Sequence, residues 1–66
     1  MSVARVTEIS AESPKSFEDA INIGLARANE TLDQIEGAWV QDMKVAVKNG
    51  HVTKYRVNLK LTFVLR

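Results

Sequence analysis

An asparagine–glycine pair predicts a tight turn in the second half of this chain. Asn49-Gly50 lies between two stretches rich in alternating apolar and polar residues, which is the strongest short-range pattern for a β-hairpin. We predict strands over about 38–48 and 51–65. On the second strand the odd positions from Tyr55 onward are apolar and most even positions are polar, so one face is expected to be buried.

The length of the turn decides which residues of the two strands face each other. A two-residue Asn49-Gly50 loop would pair odd positions with even ones, whereas a three-residue loop with a glycine bulge pairs odd with odd. We favour the bulged form, because it joins apolar residues. It places Trp39 on the face that the helix covers, near Leu59 or Leu61. The opposite face then carries, among its charges, Val40, Ala46, Val52 and Val64.

A helix is predicted from about 14 to 34, with two ways to begin. Ser13 can cap it, with Pro14 at the first helical position. Alternatively Ser16 caps it, with Asp19 three residues later. Three- and four-residue spacings form one apolar stripe, made of Phe17, Ala20, Ile21, Gly24, Ala28, Leu32 and Ile35.

Two glycines and one isoleucine add detail to the prediction of this helix. Gly24 lies within the stripe, where a glycine indicates the close approach of a neighbouring element. Ile23 lies off the stripe and suggests a second contact surface. Gly37 follows the helix and can end it.

The predicted fold is a single α+β domain over 1–66, in the order β-α-β-β, because residues 3–10 also read as a strand. One helix packs on a three-stranded antiparallel sheet. The first strand pairs beside the last one or at the outer edge of the hairpin. A chain of 66 residues without cysteine has a small core and no disulfide, so we expect an oligomer.

The composition excludes several function classes. A net charge of +1 does not predict a nucleic-acid or membrane partner. No apolar run suggests a signal or membrane segment, so we expect a cytoplasmic protein. His51, the only histidine, flanks the turn, and no nucleophile–base pair, glycine-rich phosphate loop or zinc-binding spacing is present. We therefore expect a protein that is not an enzyme.

Three weaker signals remain. Trp39 either packs in a core or interface or offers a stacking platform. Asp42 is either an ion-pair partner or, repeated by symmetry, a ligand for a hard cation. A basic strand face is either solvated or contacts anions or other subunits, and consists of Lys44, Lys48, Lys54, Arg56, Lys60 and Arg66.

Three stretches of the chain resemble the dodecin family, namely RVTEIS-AESPKSFEDAI, ARANETLDQI and NGHVTKYRVNLKLTFVLR. The similarity covers nearly the whole chain. It implies a sheet wrapped around one helix and a hollow dodecamer of tetrahedral symmetry. Family members commonly bind flavins, often as stacked pairs between tryptophans of neighbouring subunits, and are regarded as storage proteins that quench flavin photochemistry. Some members instead lack this pocket and are linked to metals such as calcium.

The resemblance also assigns positions in this chain. Gly37 falls where flavin-binding members carry the stacking tryptophan, and Trp39 follows two residues later. Arg56 falls where the family has a glutamine that contacts the flavin, and Asp42 where some relatives carry a metal-contacting aspartate. The resemblance therefore implies a flavin-binding homododecamer, with riboflavin, FMN or FAD held by Trp39, Gly37 and Arg56. The alternative is a shell without a flavin pocket that is structural or binds calcium or magnesium at Asp42.

Overall fold

The computed structural model describes residues 3–31 and 34–65. Its four elements are β1 (Val3–Ser13), α1 (Phe17–Asn29), β2 (Ile35–Lys48) and β3 (His51–Leu65). The three strands form one antiparallel sheet in the order β1-β3-β2. The predicted α+β fold with the order β-α-β-β is therefore confirmed. The first strand pairs beside the last, so β3 is the central strand.

Local hydrogen bonds at Ser13 and Ser16 define the start of α1. Ser16 is the N-cap, and its Oγ accepts a hydrogen bond from the Asp19 backbone N–H at 3.0 Å. The buried Ser13 hydroxyl donates to Asp19 Oδ2 at 2.5 Å and accepts from the Lys15 N–H at 3.0 Å. Ser13 and Pro14 thus belong to the turn before the helix, and the second predicted cap is correct.

The helix is shorter at both ends than predicted. It ends near Glu30, whose backbone N–H turns back to the carbonyls of Arg27 and Ala28. Gly37 does not end the helix, because it lies within β2. Ile35 begins β2 instead of continuing the apolar stripe, while Leu32 lies outside the described residues.

The core lies between α1 and the sheet. α1 packs mainly against β1 and β3. Gly24 permits the close approach that its position predicted, since a Cβ added there would lie 3.0 Å from Cβ of Ala11. The buried apolar residues are Ala20 and Ala28 of the helix and Val57, Leu59, Leu61 and Phe63 of β3. This face of the sheet is called the helix side below, and the opposite face the outer face.

The hairpin turn has two residues and is not the three-residue loop that we predicted. Lys48 pairs with His51, and both Asn49 and Gly50 have positive φ angles, of 53° and 77°. Positive φ angles at both central residues are those of a type I′ turn, whose twist matches that of the paired strands. The expected odd-to-odd pairing is nevertheless present at Met43 and Val45, because an extra residue, Thr53, forms a bulge in β3.

A second bulge, at Gln41 of β2, reverses the predicted orientation of Trp39. Val40 pairs with Leu59 and Asp42 with Asn58, so the bulge interrupts the simple alternation along β2. Trp39 consequently lies opposite Lys60 and on the outer face, and its predicted position near Leu59 or Leu61 is wrong. Val40 packs against the core instead.

The end of the hairpin that includes the turn carries an apolar strip that α1 does not cover. Met43 pairs with Val57 and Val45 with Tyr55, so the strip continues the helix side of the sheet. Val52 also lies on this side because of the bulge at Thr53, and not on the opposite face as predicted. We call Met43, Val45, Val47 and Val52 the hairpin strip, and their exposed fractions are 55%, 39%, 60% and 46%.

Candidate ligand-binding site

Trp39 is the largest exposed apolar side chain on the outer face. It lies on the edge strand β2 and is 65% exposed in the single chain. The Nζ of Lys60 lies 5.8 Å from the centroid of its ring, within the range of a cation–π contact. The indole is therefore a flat apolar surface in contact with a cation and otherwise widely accessible.

Gly37 leaves room beside the indole. It lies two residues before Trp39, which corresponds to about 7 Å along a strand. Gly37 pairs with Thr62 and Trp39 with Lys60, so both positions point to the outer face. A Cβ added to Gly37 would meet no atom within 4 Å. The two residues thus border an open space beside the indole.

Arg56 lies further along the same face and is held by an acid. Its Nε and Nη2 donate to Glu12 Oε1 at 3.0 and 2.6 Å. Lys54 Nζ lies 3.3 Å from Glu12 Oε2. The hydrogen bond from Arg56, and then that from Lys54, lower the pKa of the Glu12 carboxyl below its ordinary value. Arg56 is four residues from Lys60 in β3, or about 13 Å, so one subunit does not place it against Trp39.

Asp42 lies between these two groups of residues. Its Oδ2 accepts a hydrogen bond from Asn58 Nδ2 at 3.4 Å. Both side chains line a polar cavity of about 330 Å³, together with Glu8, Ser10 and Gln41. All five can offer oxygen atoms, the ligand type that calcium and magnesium prefer. Within residues 3–31 and 34–65, however, no three Asp, Glu, His or Cys side chains gather into a metal-binding cluster.

The structure therefore brings together some of the predicted site residues and separates others. Trp39 and Gly37 adjoin, while Arg56 and Asp42 lie at successive positions along the sheet. The basic face is partly neutralised by ion pairs, since Lys60 Nζ lies 3.7 Å from Glu8 Oε1 and Arg56 pairs with Glu12. Glu8, Ser10 and Asn58 also lie at this site, although the sequence pattern did not mark them as site residues. The only available signal was their even numbering, which the pairing of β1 with β3 converts into one shared face.

His51 is an exposed residue beside the turn, as predicted. Within the part of the chain that the structure describes, no helix is long and apolar enough to cross a membrane.

Comparisons with known proteins give a consistent result. A family model described as Dodecin matches residues 3–66. Calcium dodecin from Mycobacterium tuberculosis is 35% identical over 66 residues, which cover 100% of this chain and 93% of the relative. A crystal structure of that protein, described as having a novel calcium-binding site, matches with a TM-score of 0.83 and 34% identity over 97% of this chain and 91% of its own.

Two further solved structures fit the backbone more closely. Dodecin from Streptomyces coelicolor has a TM-score of 0.93 and 31% identity, covering 98% of this chain and 93% of its own. The Thermus thermophilus protein has a TM-score of 0.94 and 29% identity, covering 100% of this chain and 97% of its own. The hollow dodecamer implied by the sequence resemblance is consistent with these neighbours. With the family model matching almost the whole chain, and with solved dodecins sharing its fold, this protein belongs to the dodecin family.

Proposed function

We propose that this protein is a dodecameric flavin-binding and storage protein of the cytoplasm, in which Trp39 provides the stacking wall. The observation that carries this proposal is the 65% exposure of Trp39 beside the open space at Gly37. A planar ligand stacked on the indole would remove much of this apolar surface from water. The proposal is for a binding protein and not an enzyme, and it includes neither nucleic acid nor membrane.

The shape of the chain supports assembly. Its radius of gyration is 13.6 Å, and its extents are 51 × 20 × 13 Å. A compact chain of this length would have a radius of gyration of about 11 Å. The elongated hairpin leaves the hairpin strip exposed, and a second copy that covered it would add to a core that is small in the single chain. Subunit contacts would also border the open edge of β2 where Trp39 lies.

The residues present fit a flavin in part. The indole offers its face, Gly37 offers room and Lys60 offers a positive charge near the ring. A flavin stacked on an indole is quenched when it is excited, which is the chemistry that protects a stored flavin. The role of Arg56 is to contact the polar part of a flavin held by a neighbouring subunit, because within one subunit it lies too far from Trp39.

Titration of riboflavin or FMN, followed by flavin fluorescence, tests this proposal. We expect the wild-type protein to quench the fluorescence at micromolar concentration. Trp39→Ala should weaken the affinity about 5- to 150-fold, because aromatic stacking contributes about 1–3 kcal/mol. His51→Ala, at the exposed turn, is the matched control and should bind as the wild type does. Absence of quenching by the wild-type protein would contradict flavin storage.

A second candidate function is divalent-cation binding at Asp42. It is favoured by the polar cavity that Asp42 shares with Ser10 and Asn58, and by the name of the relative, calcium dodecin. One subunit supplies too few carboxylates for a complete calcium site, so copies related by symmetry would add ligands. The proposed role of Asp42 is to provide the central carboxylate.

Calorimetric titration of chelator-treated protein with calcium tests the second candidate. We expect binding to raise the Tm, since a ligand that binds only the folded state stabilises it. Asp42→Asn should remove both the binding and the rise in Tm. Glu18→Gln changes an acid in the first turn of α1 and should change neither. Equal calcium binding by the wild type and Asp42→Asn would exclude this site.

A further inference from the structure

Three side chains form one row across the outer face of the sheet. Lys60 of the central strand pairs directly with Trp39 of β2 on one side and with Glu8 of β1 on the other. Its Nζ lies 5.8 Å from the centroid of the indole and 3.7 Å from Glu8 Oε1. A single ammonium group therefore connects both edge strands of the sheet through two different interactions.

The lysine is the more enclosed member of its ion pair. The Lys60 side chain is 34% exposed, whereas that of Glu8 is 67% exposed. Its aliphatic stem therefore lies along the sheet, and the charged end is directed toward the indole and the carboxylate. Since both charges are near the surface, the ion pair with Glu8 adds little stability. The main effect of this ion pair is to fix the position of the Lys60 ammonium group.

Trp39 lacks the usual support from its own strand. The preceding residue on the same face is Gly37, which has no side chain, and the strand is bulged at Gln41 on the other side. An exposed tryptophan on an edge strand with such neighbours can adopt several rotamers. The cation–π contact with Lys60 favours one of them, by an amount that corresponds to about a two- to fivefold preference.

We propose that Lys60, oriented by Glu8, is a positioning residue for Trp39. The ammonium group occupies one face of the indole and leaves the opposite face to a planar ligand. The inference rests on the proposed flavin function for its ligand, but the positioning itself is a property of the ligand-free protein. It gives a role to Lys60 and Glu8, whose proximity the sequence pattern did not predict.

Three substitutions test whether the charge of Lys60, the packing of its aliphatic stem or the carboxylate of Glu8 positions Trp39. Lys60→Met keeps the aliphatic stem and removes the charge, Lys60→Arg keeps a cation that can lie over the ring, and Glu8→Gln removes the carboxylate. Native mass spectrometry establishes that each variant assembles as the wild type does. If Lys60→Met fails to assemble, Lys60→Gln replaces it.

Tryptophan fluorescence of the ligand-free protein gives the first readout, because Trp39 is the only tryptophan. We expect Lys60→Met to lower the anisotropy of the emission and to raise quenching by acrylamide, a neutral quencher, about twofold. Lys60→Arg should restore both values, and Glu8→Gln should fall between. Unchanged anisotropy and quenching in Lys60→Met would overturn the positioning role.

Titration with FMN gives the second readout. We expect Lys60→Met to bind FMN about two- to fivefold more weakly than the wild type and Lys60→Arg to bind within twofold of it. Equal affinity of Lys60→Met and wild type would overturn the inference while leaving flavin binding intact. If the wild type binds no FMN, the proposed function fails, and the measurements on the ligand-free protein still decide the role of Lys60.

Discussion

Gly24 of α1 and Ala11 of β1 meet so closely that a Cβ added to the glycine would lie 3.0 Å from Cβ of the alanine. The same added atom would lie 3.4 Å from Cδ1 of Ile9 and 3.5 Å from Cδ1 of Leu59. Because Cβ of Ala11 is fixed to the backbone of a paired strand, it cannot rotate away. This contact sets the distance between the helix and the sheet.

Gly24→Ala should therefore destabilise the protein. The better helix propensity of alanine contributes about 1 kcal/mol, but overpacking costs about 1–3 kcal/mol, so we expect a net loss of up to about 2 kcal/mol. Urea unfolding measures it. The double variant Gly24→Ala, Ala11→Gly relieves the contact and should recover part of the loss. If Gly24→Ala alone were more stable than the wild type, β1 would have to move away from the helix to accept the added methyl group.

Gly50→Ala should also destabilise the fold, through the backbone of the turn. The φ angle of Gly50 is 77°, in the left-handed region, where an L-residue with a Cβ is strained by about 1–2 kcal/mol. We expect a loss of that size in the free energy of unfolding. Asn49→Gly is the control, because the positive φ of Asn49, 53°, suits glycine. Equal losses in both variants would point to a cause other than the strain of Gly50.

The ion pairs of Glu12 should make stability depend on pH in the acidic range. Arg56 and Lys54 lower the pKa of Glu12 below its ordinary value of 4.5, so the folded state favours the carboxylate. A group with a lowered pKa contributes stability above its unfolded pKa, and this contribution disappears as the pH falls through the folded value. We expect the urea midpoint of the wild type to decrease below about pH 5.

Glu12→Gln should remove part of that dependence. Its stability at neutral pH should be lower than that of the wild type, and the difference should shrink on acidification. Glu36→Gln changes an exposed acid at the start of β2 and serves as the control. A constant difference between Glu12→Gln and wild type at every pH would mean that the ion pairs do not link protonation to folding.

Assembly should depend on the hairpin strip. Met43→Glu or Val47→Glu places a charge on a surface that we propose is covered by another copy, where an unpaired charge is costly. Native mass spectrometry should show species smaller than the dodecamer. Ala46→Glu introduces the same charge on the outer face of the same strand, opposite Lys54, and should leave the assembly intact. A dodecamer formed by Met43→Glu would exclude the strip from the interfaces.

The order of elements and the location of the core could be predicted because they depend on local signals. Asn49-Gly50 specified the hairpin, the alternation in β3 identified Val57, Leu59 and Leu61 as buried, and Gly24 identified a close contact. Each signal lies within a few residues of the feature that it specifies. The end of the helix was less predictable than its start, because the residues from Glu30 to Glu36 include no glycine or proline to mark it.

The candidate site was less predictable than the fold because its geometry depends on pairing between distant strands. The partners Glu8 and Lys60 are far apart in sequence, and only the register of β1 with β3 joins them. Trp39 was assigned to the wrong face because the bulge at Gln41 has no strong residue signature. Its position on the outer face, which is the main support for a ligand, follows from its pairing with Lys60.

The bulges also indicate where the length of this chain can vary. Gln41 stands between Val40, which pairs with Leu59, and Asp42, which pairs with Asn58, so the partners on either side are already neighbours in β3. Deleting Gln41 would make the pairing of β2 with β3 regular from Gly37 to Ala46 and leave Trp39 on its present face. Deleting a residue from a regularly paired part of β2, such as Val45, would instead exchange the two faces on one side of the gap. Evolution can therefore shorten this strand at Gln41 without moving the indole from the surface where a ligand can reach it.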